Sequence, residues 1–166
     1  MPVFGLGNGM VAIVGYNFGA RIKKRVYEAI RVALLYAVVI LSLGTLLFLV
    51  FPEQLMSLFE SDGDPTIIAS MTTIGVAALR TISLHFLIAT VGITLGNVFQ
   101  AVGKGTYSLI ISLCRQMIVL LPAAWLLART GNVNAVWWSF LIAELFSASI
   151  SVFYYRRVDR KMLQPM

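Results

Sequence analysis

Two charged residues stand alone in otherwise apolar runs: Arg115 interrupts Gly105 to Ala128, and Glu144 interrupts Thr130 to Tyr155. In apolar surroundings a guanidinium and a carboxylate are expensive to keep apart, so their expected chemistry is mutual neutralisation, with direct handling of a cation as the alternative. At 1.5 Å per residue they lie about 15 Å and about 17 Å from Gly105 and Tyr155, and matched depths on consecutive antiparallel helices predict an intramembrane ion pair. The single histidine, His85, is either a hydrogen-bonded packing residue or a proton relay, because its ordinary pKa lies near working pH. At helical spacing Ser83, Thr90, Thr94 and Asn97 fall in one arc, while His85, Ala89, Gly92, Gly96 and Gly103 fall opposite. The polar arc is predicted to wall a substrate cavity, the alternative being hydroxyls bonded back to helix carbonyls; the Gly92-x-x-x-Gly96 pair predicts close helix packing. Asn8 and Asn17 are further cavity candidates, with helix packing as the other reading, and Pro122 is a candidate hinge or an ordinary kink. Trp125, Trp137 and Trp138 read as interfacial anchors.

Other chemistries are poorly supplied. One cysteine, Cys114, and one histidine exclude a disulfide framework and any multi-ligand metal centre, so no metal or other cofactor is expected. The run Gly5-x-Gly7-x-Gly9 lacks a preceding strand and is no dinucleotide site. Without a nucleophile–base pair or a phosphate-binding loop, an enzyme is not expected.

The elements that must position these residues follow from composition. Of 166 residues, 59% are hydrophobic and 12% charged, about half the charged share of a soluble domain. The net charge of +6 is spread between long apolar runs, which fits lipid head groups and not nucleic acid. A helix needs about 20 apolar residues to cross a bilayer, and this length predicts an all-α membrane protein with five transmembrane helices at about 1–18, 32–52, 81–103, 105–128 and 134–155. The segment 66–79 is expected as an interfacial helix and 156–166 as a basic tail. A cleaved signal peptide is not expected, since the basic residues follow the first apolar run. With five alternating spans, Arg21, Lys23, Lys24, Arg25, Arg31, Lys104, Arg156, Arg157, Arg160 and Lys161 share one side, which the charge rule assigns to the cytoplasm together with the C-terminus. Glu53, Glu60, Asp62 and Asp64 fall on the other side with Arg80 and Arg129.

The stretches PVFGLGNGMVAIVGYNFGARIKKR, NVFQAVGKGTYSLIISLCRQ and WWSFLIAELFSASIS resemble the C-terminal half of multidrug and toxic compound extrusion (MATE) transporters, over essentially the whole chain. The resemblance implies a fold of twelve helices in two six-helix lobes, and an antiporter that exchanges H+ or Na+ for cationic or amphipathic drugs across the cell membrane. It aligns the five spans with helices eight to twelve, the first truncated, and implies that helix seven and the N-terminal lobe are partners missing from a fragment that would not transport alone. Some relatives carry an acidic cation ligand on helix ten, whereas no Asp or Glu occurs from Pro65 to Gly103, so coupling acids are expected in the missing lobe. Two alternatives remain at this stage: a lipid-linked oligosaccharide flippase of the same superfamily, which would favour cavity-facing Arg or Lys, and a non-transporting membrane module.

Overall fold

The computed structural model of the chain describes residues 2–58 and 65–166. Glu60, Asp62 and Asp64, three of the four acids expected on the external side, lie outside the described residues. The described residues form helices with no strand: α1 (Pro2–Gly19), α2 (Lys23–Val50), α3 (Pro52–Ser57), α4 (Pro65–Ser83), α5 (Phe86–Ala101), α6 (Gly105–Leu113), α7 (Leu121–Ala128), α8 (Val133–Val136) and α9 (Trp138–Val158). A π-helical stretch, Cys114–Leu120, joins α6 to α7 without interruption, and a second, Asp159–Leu163, extends α9. Three helices, Lys23–Val50, Gly105–Ala128 and Val133–Leu163, are long and apolar enough to cross a membrane. A fourth crossing is available if Ile68–Ser83 and Phe86–Ala101, bent by 51°, act as one span.

The molecule is apolar outside as well as within. Leu43, Leu46, Leu109, Ile118, Leu121 and Phe153 are each more than half exposed, which is stable only where hydrocarbon replaces water. The centre is α5, which packs against α1, α2, α6 and α9. Val98 and Phe99 of α5 are fully buried with Val14 of α1, Val26 of α2 and Leu163 beyond α9, so one core ties both ends of the chain together. The turn after α5 explains how α6 doubles back: Gly103 adopts φ +74, Lys104 N donates to Phe99 O at 2.7 Å and Gly103 N donates to Gln100 O at 3.1 Å. This is the paired closure in which glycine, free of a Cβ, takes the left-handed position.

Two expected boundaries are corrected. The interfacial helix 66–79 and the span 81–103 do not separate at Arg80; α4 runs through it, and the break falls at Leu84 and His85. Arg80 marks a charge and not a helix end, since a long basic side chain can reach the interface from an unbroken helix. The break forms where α2 supports it: the Thr45 hydroxyl is shared between its own Leu41 carbonyl, 2.9 Å, and the Ser83 carbonyl, 3.2 Å. Inside a membrane a carbonyl freed by a bend needs such a partner. The residues 156–166 are likewise no loose tail. Leu163 is fully buried, Tyr27 donates to Asp159, Lys23 Nζ donates to the Gln164 carbonyl at 2.7 Å, and Gln164 Nε2 donates to Asp159 at 2.8 Å. Apolar Val158, Met162, Leu163 and Met166 recur at helical spacing among the charges and dock on the core.

Candidate functional site

The site is built from α5. Its Ala89, Gly92 and Gly96 lie on one face, and their small size leaves space between α5, the α6 to α7 helix and α9. A cavity of about 440 Å³ fills that space, lined also by Val3 and Phe4 of α1 and Leu41 of α2. The three surrounding helices each present a polar row at three- and four-residue spacing. Asn97 and Gln100 come from α5, Ser108, Ser112 and Arg115 from the α6 side, and Glu144, Ser147 and Ser151 from α9. Such a row is what a helix needs to keep one face on a cavity.

Arg115 Nη1 donates to Glu144 Oε1, so the two isolated charges neutralise one another on the cavity wall. Their exposures differ: the Glu144 side chain is 7% exposed and that of Arg115 37%. The carboxylate is therefore set into the wall, whereas the Arg115 side chain stays partly exposed. At Gly92 a Cβ would meet α9 in ordinary contact, 3.6 Å from Ser147 Oγ and 3.9 Å from Glu144 Oε2. Gly96 is the tighter position, with Ser108 Oγ of α6 only 3.3 Å from the position of a Cβ. Gln100 Nε2 reaches Ser108 Oγ at 3.4 Å, a weak contact at the cavity rim.

His85 lines the same cavity at the bend, its ring edge-on to Phe86 at 4.9 Å and stacked with Phe140 at 5.9 Å. Its Nδ1 is buried without a hydrogen-bond partner among the described residues, as is Ser151 Oγ. Asn97 also lines the cavity and packs its amide against Gly7 of α1.

The rest of the expected polar wall is placed elsewhere. Ser83, Thr90 and Thr94 are buried in helix packing and do not line the cavity; the Ser83 hydroxyl donates to Arg80 O at 3.0 Å and that of Thr90 to Phe86 O at 3.1 Å. The cavity lies on the glycine face because space opens where side chains are small, while hydroxyls that can bond their own helix tolerate full burial. Ser83 is also out of phase with α5, since the bend interrupts the helical rotation between them. Asn8 is exposed on α1. Asn17 lines a separate groove between α1 and α2 and donates through Nδ2 to Ile13 O at 2.8 Å. Pro122 gives no sharp hinge: Gly105–Ala128 continues as one span, with π winding just before the proline. A proline lacks the N–H that would bond four residues back, and its ring crowds that carbonyl; the looser π turn accommodates both. Sequence reasoning passed over Ser108, Ser112, Ser147, Ser151 and Gln100, although their spacing relative to Arg115, Glu144 and Gly96 was the available signal.

The MatE family model matches residues 1–126. Multidrug export protein MepA of Staphylococcus haemolyticus is 28% identical over 151 residues, covering 91% of this chain and 32% of MepA. Among solved structures, the MATE multidrug transporter DinF-BH is 31% identical with a TM-score of 0.82, covering 98% of this chain and 35% of that one. The inward-facing conformation of a multidrug resistance MATE family transporter of the MOP superfamily has a TM-score of 0.85 at 22% identity, over 99% of this chain and 37% of that one. The chain thus spans about a third of the length of the curated relatives it matches. With an all-helical membrane fold and a family match over three quarters of its length, the chain belongs to the MatE family, whose members are transporters and not enzymes.

Proposed function

We propose that these residues serve as part of one lobe of a multidrug exporter, moving cationic or amphipathic compounds out of the cell in exchange for H+ or Na+. The observation that carries this reading is the cavity of about 440 Å³ walled by α5, α6 and α9, polar on three sides and holding one buried carboxylate. Neutral hydroxyls and amides make weak contacts with many ligands, and Glu144, the one carboxylate among the described lining residues, is the group with which a cation can pair in competition with Arg115. The names of the relatives, a multidrug export protein for MepA and a multidrug transporter for DinF-BH, support it. The cavity does present Arg115, which a flippase for anionic lipid-linked substrates would use, but Glu144 neutralises it and leaves no net positive charge there. In this reading the protein sits in the plasma membrane, and the distribution of Lys and Arg supports a cytoplasmic C-terminus.

Alternating access needs two bundles rocking around a central site, so this bundle alone does not transport. The test is ethidium efflux from a drug-hypersensitive bacterium that expresses either this chain alone or the chain preceded by the seven helices expected upstream of it. Efflux only from the joined protein is the expected result; efflux from these 166 residues alone would overturn the one-lobe reading.

A further inference from the structure

We infer that Arg115 is a built-in occupant of the Glu144 carboxylate, displaced when an organic cation enters the cavity, so that Arg115 sets how tightly this site takes cations. The inference deepens the function proposed above and rests on it.

The first support is the geometry of the pair. Arg115 reaches only Oε1; Oε2 faces the gap left by Gly92 and accepts no hydrogen bond from the described residues. A guanidinium and a carboxylate can form two parallel bonds, so a one-oxygen contact leaves half of the carboxylate's accepting capacity for a second cation. The second support is the composition of the wall. Glu144 is the only carboxylate lining the cavity among the described residues, and Asn97, Gln100, Ser108, Ser112 and Ser147 are neutral. A cationic ligand therefore has one full negative charge to reach, and Arg115 is already on it. The aromatic rings of Phe4, Phe86 and His85 offer apolar contact for the body of such a ligand in the same space.

The third support is the freedom of the competing side chain. Arg115 is the second residue of the π-helical stretch Cys114–Leu120, lines the cavity, and has a side chain that is 37% exposed. π winding inside α-helices is frequent at functional sites, and a long arginine stem lets the guanidinium swing along a wall without moving the helix axis. At the carboxylate one cation replaces another, and the cavity as a whole gains one positive charge, carried by the displaced guanidinium on its long stem. The buried carboxylate is never left alone, which is the state that carries the large penalty.

The experiment is a fluorescence-anisotropy titration of ethidium onto the purified chain in phosphatidylcholine nanodiscs, with circular dichroism and size exclusion confirming the fold. The proteins compared are native, Arg115→Gln, Arg115→Lys and Glu144→Gln. Relative to native, Arg115→Gln is expected to bind ethidium about tenfold more tightly, and Arg115→Lys about threefold more tightly because a shorter ammonium pairs less well. Glu144→Gln is expected to bind about tenfold more weakly. Nile red, a neutral dye, is expected to bind all four alike. Tighter ethidium binding by either folded Arg115 variant, including binding seen only in those variants, supports displacement. If Arg115→Gln does not fold, Arg115→Lys decides the matter. Native binding of ethidium with unchanged or weaker binding by the folded Arg115 variants overturns the displacement and leaves the proposed function standing. No ethidium binding by any of the folded proteins overturns both.

Discussion

Glu144 is 7% exposed and Arg115 37%, so removing each partner leaves a different orphan. Arg115→Leu strands a carboxylate in the wall between α5 and α9. Glu144→Gln leaves a guanidinium that can still turn into the cavity. Arg115→Leu is therefore expected to destabilise the chain by about 3 kcal/mol and Glu144→Gln by about 1 kcal/mol, while the double variant Arg115→Leu with Glu144→Leu recovers most of the loss. Thermal unfolding in detergent reads all three, and a double variant less stable than Arg115→Leu alone would sink the account. This pair was legible in the sequence because each charge is isolated in an apolar run and the two depths match. Its neighbours were harder to read. Hydroxyls drew attention to Thr90 and Thr94, yet Thr90 bonds the carbonyl one turn back, and the open face belongs to Gly92 and Gly96. Whether a polar side chain faces a cavity depends on what the opposite helix leaves empty, and a single helix carries no record of that.

The bend between α4 and α5 shows the same dependence one level up. No proline or glycine lies at Leu84 or His85, so nothing local announces a break, whereas Pro122, which does announce one, is absorbed into π winding. The support for the bend comes from α2, where Thr45 is buried and donates toward the Ser83 carbonyl. Thr45→Val keeps the shape and removes the donor, and is expected to cost about 1 to 2 kcal/mol, while Thr45→Ser keeps most of the stability. Equal stabilities of the Val and Ser variants in the same unfolding assay would mean that the bend does not rely on this bond. At the other end of the bundle, Leu163 is fully buried where α9 extends past its charged turn. Leu163→Ala is expected to cost about 2 to 5 kcal/mol, as for other core leucines, and to make 159–166 sensitive to added trypsin through Arg160 and Lys161. Native-like protection from the protease would show that the docked segment is not held by its apolar residues. The apolar spacing of Val158, Met162, Leu163 and Met166 was present in the sequence but masked by five charges between 156 and 161.

For the whole molecule, the all-helical membrane class was legible from long charge-free runs, since only hydrocarbon tolerates that composition on a protein surface. The packing order was not, because α5 is central only once α1, α2, α6 and α9 have closed around it. Sidedness can be tested on the same frame. The helix Gly105–Ala128 carries 24 residues, about 36 Å at 1.5 Å per residue, so Lys104 and Arg129 lie at opposite ends of one crossing. Both are exposed, and Arg129 is held over the Trp125 ring, with its guanidinium carbon 3.8 Å from the ring centroid, at the end where an interfacial indole is at home. Replacing the lone native cysteine by Cys114→Ser, then introducing Lys104→Cys or Arg129→Cys, gives two single-cysteine proteins. In intact cells a membrane-impermeant maleimide is expected to label Arg129→Cys at once and Lys104→Cys only after permeabilisation. The opposite pattern would invert the whole bundle: the exposed cations of the α1–α2 turn and those after Tyr155 would then face outward, against the retention of basic loops in the cytoplasm. The cavity between α5, α6 and α9 would keep its shape, but its ends would exchange sides, and with them the direction from which a cation reaches Glu144.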